Sequence, residues 1–195
     1  MSEKQCSLPC GSMAAKAREG DTGLFAERAF ADGDPIGALP CTAEHLAPTR
    51  FTVQVGRARH VEVGPFAFLN HACSPSVRID TDRMLVLAAR AIAAGDELTF
   101  FYPSTEWEMA CPFVCRCGAP NCIGLVAGAR FLPASVVKRH PISAHIRALL
   151  TEGKSPPDPA ASLGGEDGAR IIPHPPVADR VAVEPATQEK GTDAG

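Results

Sequence analysis

Three cysteines crowded into one short stretch constrain this chain more than any other feature in it. Cys115-Arg116-Cys117, followed after four residues by Cys122, sets three thiols in a loop able to curl around one ion. A tetrahedral structural zinc site needs a fourth ligand. Cys73 is the best candidate, because it lies in the polar, turn-like segment Asn70-His71-Ala72-Cys73-Ser74-Pro75, which ligation would tie to the cysteine loop. Spacing also leaves open Cys111, the pair Cys6 and Cys10, and a loop of free thiols. Eight cysteines would suit a disulfide framework in a secreted chain. The start, Met1-Ser2-Glu3-Lys4-Gln5, is instead polar with no signal-peptide core after it, and no apolar run approaches the ~20 residues of a membrane span. The expectation is a cytoplasmic or otherwise intracellular protein, in which clustered cysteines favour metal ligation.

Short apolar runs broken by turn residues dominate residues 22 to 102. Thr22-Gly23-Leu24-Phe25-Ala26 and the region of Ala29-Phe30 and Ile36 read as short strands around the break at Asp32-Gly33-Asp34-Pro35. Phe51-Thr52-Val53-Gln54-Val55 and His60-Val61-Glu62-Val63 alternate, which predicts a hairpin across Gly56-Arg57-Ala58-Arg59. A second hairpin is predicted for Val77-Arg78-Ile79 and Met84-Leu85-Val86-Leu87-Ala88, and a further strand for Leu98-Thr99-Phe100-Phe101-Tyr102. From Ala134 to Leu150 the apolar residues approach helical spacing, with a break at Pro141. Beyond residue 150, Pro156-Pro157, Gly164-Gly165 and Pro173 to Pro176 leave only isolated apolar residues, which predicts a flexible tail. With 18 prolines and 17 glycines in 195 residues, one core with much loop is expected. The formal charge of -3 provides no broad cationic field, so nucleic acid and anionic lipid are unfavoured partners.

Taken in order, Asn70-His71-Ala72-Cys73-Ser74-Pro75, Gly95-Asp96-Glu97-Leu98-Thr99-Phe100-Phe101-Tyr102 and Cys115-x-Cys117-x4-Cys122 resemble the signatures of SET-domain protein lysine methyltransferases with a post-SET zinc segment. Asp21-Thr22-Gly23-Leu24-Phe25-Ala26 resembles the family's cofactor-loop strand, and the resemblance covers about residues 18 to 128. It implies a mainly β fold of small curved β-sheets, with a knot-like crossing of the Asn70-His71 segment and the chain around Tyr102. A cysteine-rich post-SET segment and a short C-terminal helix complete it. The implied division is an N-terminal extension (1–17), a SET domain (18–106), a post-SET zinc segment (107–130), a short helical region (131–150) and a tail (151–195).

The resemblance further implies S-adenosylmethionine and Zn²⁺ as cofactors. Backbone around Thr22, Gly23 and Leu24 is assigned to the methionyl part of the first, and Asn70 with His71 to its amino and adenine groups. Phe113, Cys117 and Leu125 would help close the pocket. Tyr102 matches the tyrosine at the methyl-transfer channel, with Phe100, Phe101 and Trp107 as candidate apolar walls. Cys73, Cys115, Cys117 and Cys122 are the implied metal ligands. Ser76 stands where many relatives have a second asparagine, and Phe101 where an acidic residue is often found. Gly20 and Tyr102 are close enough in sequence that the substrate-recognition insert must be small. The implied activity is methyl transfer to a lysine amine of a protein or peptide. The alternatives are an amine-bearing small molecule as acceptor, or an inactive zinc-stabilised interaction module.

Overall fold

The computed structural model describes residues 13–18 and 21–152. In chain order the strands are β1 (Met13–Arg18), β2 (Asp21–Ala26), β3 (Pro35–Ala38), β4 (Glu44–His45), β5 (Thr52–Gly56) and β6 (Arg59–Glu62). They continue as β7 (Asn70–His71), β8 (Val77–Asp80), β9 (Leu85–Ala88), β10 (Glu97–Phe100), β11 (Phe113–Val114) and β12 (Leu125–Val126). Two helices follow, α1 (Ala134–Val137) and α2 (Ala144–Thr151). The expected tail and the Cys6 and Cys10 pair lie outside the described residues.

The mainly β architecture of small sheets is as expected. Four sheets form, in the orders β1-β2-β10-β7, β3-β9-β8, β4-β6-β5 and β11-β12. Both predicted hairpins are present, β5 with β6 and β8 with β9. The Asp80 carboxylate closes the second turn by accepting the backbone N–H groups of Asp82 and Arg83 at 3.2 and 2.9 Å. The strands read between residues 22 and 37 also form, but they enter different sheets: β2 lies between β1 and β10, and β3 pairs with β9. Between them, the Asp34 carboxylate accepts the Ala31 N–H at 2.8 Å and redirects the chain. The predicted helical stretch is split around Pro141, as its ring requires. No helix among the described residues is long and apolar enough to cross a membrane.

One pairing positions the site. β7 runs parallel to β10, with Asn70 opposite Thr99 and His71 opposite Phe100, and the Ala72 N–H continues the ladder to the Phe100 carbonyl at 3.2 Å. The two segments expected to cross therefore lie side by side, with Tyr102 just past the end of β10. Beneath them Leu24, Val61, Leu69, Val86 and Leu98 are almost fully buried, each such side chain contributing about 1.5–3 kcal/mol of burial. A second cluster joins Phe101, Phe113, Val126 and Val136 to Cys73 and Cys115, so the cysteine segment packs against the end of β10 and α1.

The β4-β6-β5 sheet is laced to the chain after Tyr102 by a buried polar joint. One oxygen of the buried Glu106 carboxyl accepts the Gln54 N–H at 2.9 Å and the Thr105 hydroxyl at 3.0 Å, while Gln54 Oε1 accepts the Trp107 N–H at 2.8 Å. Downstream, Gly128 is required where it stands: its φ is +119°, and a Cβ would lie 2.5 Å from the Trp107 carbonyl oxygen.

Burial raises the Glu106 carboxyl to about 7, against the opposing pull of the Gln54 and Thr105 hydrogen bonds. A carboxyl raised by folding binds more protons folded than unfolded between about 4.5 and 7. Its contribution is therefore full below about 4.5 and is lost as pH rises through 7. The expected result is a Glu106→Gln protein that keeps both accepted hydrogen bonds and loses this fall, which in wild type reaches up to about 1.4 kcal/mol per pH unit. Urea unfolding at pH 4.5, 6 and 8 measures it; parallel pH curves for the two proteins would refute the assignment.

Candidate active site and metal centre

The four sequence-selected thiols meet. The Sγ atoms of Cys73, Cys115, Cys117 and Cys122 all lie within 4.8 Å of one another, with Cys73 and Cys115 3.9 Å apart. Zinc–sulfur bonds of about 2.3 Å in a tetrahedron give sulfur–sulfur edges of roughly 3.8 Å, so the set fits one Zn²⁺. Cys111, the alternative left open by spacing, is not in the group, and Cys41 is an exposed free thiol elsewhere.

The turn that holds the ligands is itself hydrogen-bonded to them. Cys73 Sγ accepts the Ile123 N–H at 3.4 Å, Asn121 Nδ2 donates to the Cys73 carbonyl at 2.9 Å, and the Ser74 hydroxyl donates to Asn121 Oδ1 at 3.0 Å. Burial pushes the Cys73 thiol up, and raises Cys115 to about 12. Cys117 is lowered to about 7: burial opposes ionisation, but the Ala119 and Cys73 backbone contacts and the two neighbouring thiols outweigh it. A bound dication would favour the thiolate form at all four positions.

His71 connects this cluster to Tyr102. The Tyr102 backbone N–H can only donate, so at 3.3 Å it makes His71 Nδ1 the acceptor. The ring proton then sits on Nε2, which faces Cys73 Sγ at 3.4 Å. Both imidazole nitrogens are thus engaged within the chain. This arrangement matches the outer-sphere hydrogen bonds that orient metal ligands.

Tyr102 sits where three rings converge. Its ring centroid lies 5.2 Å from that of His71 and 6.0 Å from that of Phe113, and His71 and Phe113 are 5.8 Å apart. The phenol donates its proton to the Leu69 carbonyl at 2.7 Å, which leaves the oxygen as an acceptor toward a substrate. Leu125, across from Val114 in the β11–β12 pair, is half-buried in the strand beside Phe113.

Asn70 is held by a residue that sequence reasoning quoted only as part of a motif. Glu97 Oε1 accepts from Asn70 Nδ2 at 2.8 Å; since a carboxylate only accepts, the amide must turn its NH₂ there and present Oδ1 to an incoming donor. Gly23 makes room for the pair: a Cβ on it would stand 2.9 Å from Glu97 Oε1 and 3.3 Å from Asn70 Nδ2. Leu24 points into the core and is flanked by Ala15 of β1 and Leu98 of β10, and Thr22 contributes a strand position in β2. Glu97 was findable from its place two residues after Gly95 in the motif; Glu106 carried no comparable signal.

Three other residues take structural places. The Ser76 hydroxyl accepts the Thr99 N–H at 2.9 Å and donates to the Glu97 carbonyl at 3.0 Å, stitching the turn to β10. Phe101 is buried and stacks on His140 at 3.8 Å, away from the Tyr102 face. Trp107 packs with Ile142 and Ile146 under α2, whereas Phe100 does lie against Tyr102, with centroids 4.7 Å apart.

Comparison with known proteins places the sequence in one family. The profile described as the SET domain matches residues 21–103. Methyltransferase flvH of Aspergillus flavus is 44% identical over 123 residues, covering 60% of this chain and 69% of that protein. The H3 lysine-36 specific histone-lysine N-methyltransferase of Aspergillus fumigatus is 42% identical over 67 residues, or 31% of this chain and 7% of that much longer protein. Among solved structures, KRYPTONITE in complex with mCHH DNA, H3(1-15) peptide and SAH aligns with a TM-score of 0.40 and 22% identity, over 58% of this chain and 28% of that one.

Proposed function

This chain belongs to the SET-domain methyltransferases, and from that premise we propose that it moves a methyl group from S-adenosylmethionine to a lysine amine of a protein or peptide. The observation that carries the reading is the convergence of His71 and Phe113 on a tyrosine whose hydroxyl donates to the Leu69 carbonyl. S-adenosylmethionine supplies an electrophilic methyl group on a sulfonium. The chain's own task is alignment. Asn70 Oδ1, with its amide oriented by Glu97, would accept from the cofactor's ammonium, and backbone around Thr22 and Gly23 would meet its methionyl part. Phe113 covers the pocket from the cysteine segment. An amine near pH 7 is mostly protonated, with a lysine pKa of about 10.4, and a poorly hydrated channel favours its neutral form. Tyr102 then orients the amine as a hydrogen-bond acceptor rather than acting as a base.

A second acceptor class has its own support. The relative matched over 69% of its length is a methyltransferase whose name states no protein substrate, and the insert here is only the β4-β6-β5 sheet. An amine-bearing small molecule suits so small a recognition surface. Incubating zinc-loaded protein with methyl-labelled S-adenosylmethionine and separate protein and metabolite extracts of the source cell decides between the two. Label on lysine in the protein fraction supports the first reading, label confined to metabolites the second, and label in neither overturns both.

Asn70→Ala is expected to weaken S-adenosylmethionine binding by about 1–3 kcal/mol, the cost of leaving buried polar partners unpaired. Calorimetry on the folded variant measures it. Unchanged affinity would remove Asn70 from the pocket.

A further inference from the structure

Behind Phe101 lies a second concavity, with a volume of about 530 Å³. Its lining includes Arg78, Arg139, His140, Ser104, Asn121 and Asp32, and neither Asn70, Phe113 nor Tyr102 contributes to it. The volume lies within the range of small-molecule sites, roughly 300–1,000 Å³. Three features of the lining point to one kind of ligand.

First, both guanidiniums are without a carboxylate. Among the described residues the ion pairs are His45–Glu62, Arg57–Glu152, Arg59–Glu44, Arg83–Asp80 and Arg130–Glu108; Arg78, Arg139 and Asp32 belong to none of them. Second, Arg78 is pre-set: its Nη1 donates to the Ala88 carbonyl at 2.9 Å, which fixes the planar head while its other N–H groups remain for a partner. Third, His140 Nε2 is buried without a hydrogen-bond partner, although its ring is held in place by the stack on Phe101. Buried polar atoms in native proteins are nearly always paired, so an orphaned one in the wall of a cleft marks a place for a ligand atom.

We propose that this cleft binds a phosphate or carboxylate group, gripped by the forked guanidiniums of Arg78 and Arg139, with His140 Nε2 as a third donor. A guanidinium matches either oxyanion through parallel N–H bonds. Burial, and the nearby Arg139 charge, keep the His140 pKa below its ordinary value. Its charged form is therefore disfavoured, and an anion in the cleft would select the tautomer with the proton on Nε2. Asp32, exposed in the lining, is a single carboxylate against two guanidiniums and leaves the cleft net positive. The cleft shares none of Asn70, His71, Phe113 and Tyr102 with the proposed cofactor pocket, although Cys73 of the thiol cluster lies in its lining.

The test uses the full, zinc-loaded chain and three probes: inorganic phosphate, acetate, and a short capped peptide carrying phosphoserine. Calorimetry follows binding, and the His140 ring signals in NMR report its location. Saturable binding that shifts the His140 signals is expected with inorganic phosphate or acetate. Arg78→Gln and Arg139→Gln should each weaken it at least tenfold, and His140→Phe, which keeps the stack and removes the nitrogen, should also weaken it. Arg50→Gln, far from the lining, should leave it unchanged. All variants should retain their zinc content and melting temperature. Peptide binding at least tenfold tighter than inorganic phosphate would identify the anion as a side chain of a peptide; equal or weaker binding would identify a free small anion. Absence of saturable binding by every probe, or equal affinity in wild type and both arginine variants, would overturn the proposal.

Discussion

Cys115→Ser is expected to abolish stoichiometric metal binding and to unseat the chain around Tyr102. Wild type should carry close to one zinc per chain by mass spectrometry, because the four sulfurs already lie within 4.8 Å of one another and the Cys73–Cys115 pair, at 3.9 Å, is close to the edge of a zinc tetrahedron. Replacing one thiolate leaves three ligands, and ligand binding energy here is folding energy for the segment it closes. That segment packs on Phe101 and Val136 but has little regular structure of its own: β11 and β12 are two residues each, and the loop between them is hydrogen-bonded to the ligands themselves, as by the Ile123 N–H on Cys73 Sγ. The expected loss is at least about 3 kcal/mol, greater than that of an ordinary core substitution. The Cys41→Ser and Cys111→Ser variants should retain their zinc, since neither thiol belongs to the cluster. Zinc undiminished in folded Cys73→Ser or Cys115→Ser would refute that residue as a ligand. The damage should also reach the pocket. Phe113 precedes Cys115 by two residues and packs on both His71 and Tyr102, so the metal-free protein should bind S-adenosylmethionine more weakly although no cofactor-facing group has changed.

The metal centre was legible in the sequence to an unusual degree, because three thiols in eight residues leave few geometries, and a polar turn with a fourth was visible upstream. Even so, spacing alone could not separate Cys73 from Cys111; the folded chain does so by bringing Cys73 up against Ile123 and Asn121. The hairpins at β5–β6 and β8–β9 were readable for a related reason: their pairing is local, with turn residues between alternating runs. What could not be read was non-local. Whether β2 pairs with β3 or with β10 depends on contacts some seventy residues away in sequence, as in the register of Leu24 against Leu98. The parallel pairing of Asn70-His71 with Thr99-Phe100 leaves no periodicity at all. The same is true of side-chain assignments. His71 reads as a polar loop residue, and only its position between the Tyr102 N–H and Cys73 Sγ reveals a link between metal and tyrosine. Glu106 carries no signal in the sequence and is the buried joint between β5 and the chain after Tyr102.

Tyr102→Phe is expected to lower turnover by roughly a hundredfold while S-adenosylmethionine affinity stays within a few-fold of wild type. The substitution removes one oxygen and keeps the ring that touches His71, Phe100 and Phe113. Two consequences follow from that oxygen's position. Its proton is donated to the Leu69 carbonyl, so deletion leaves an acceptor unpaired at the end of the turn before β7, a stability cost of about 1–3 kcal/mol. Its lone pairs are what remain for a substrate amine, so deletion also removes alignment in the transition state, where a loss of about 3 kcal/mol gives the hundredfold. The measurements separate these effects. A structural role alone would lower the melting temperature and weaken cofactor binding while leaving turnover per folded, cofactor-saturated protein intact. A role in transfer lowers kcat at saturating cofactor, with KM for the amine acceptor changed much less. Raising the pH should not rescue the variant, because a phenol committed to Leu69 acts by orientation and not as a titrating base. Wild-type turnover in folded Tyr102→Phe would sink the assignment. Turnover restored by raising the pH would instead identify a base missing from this account.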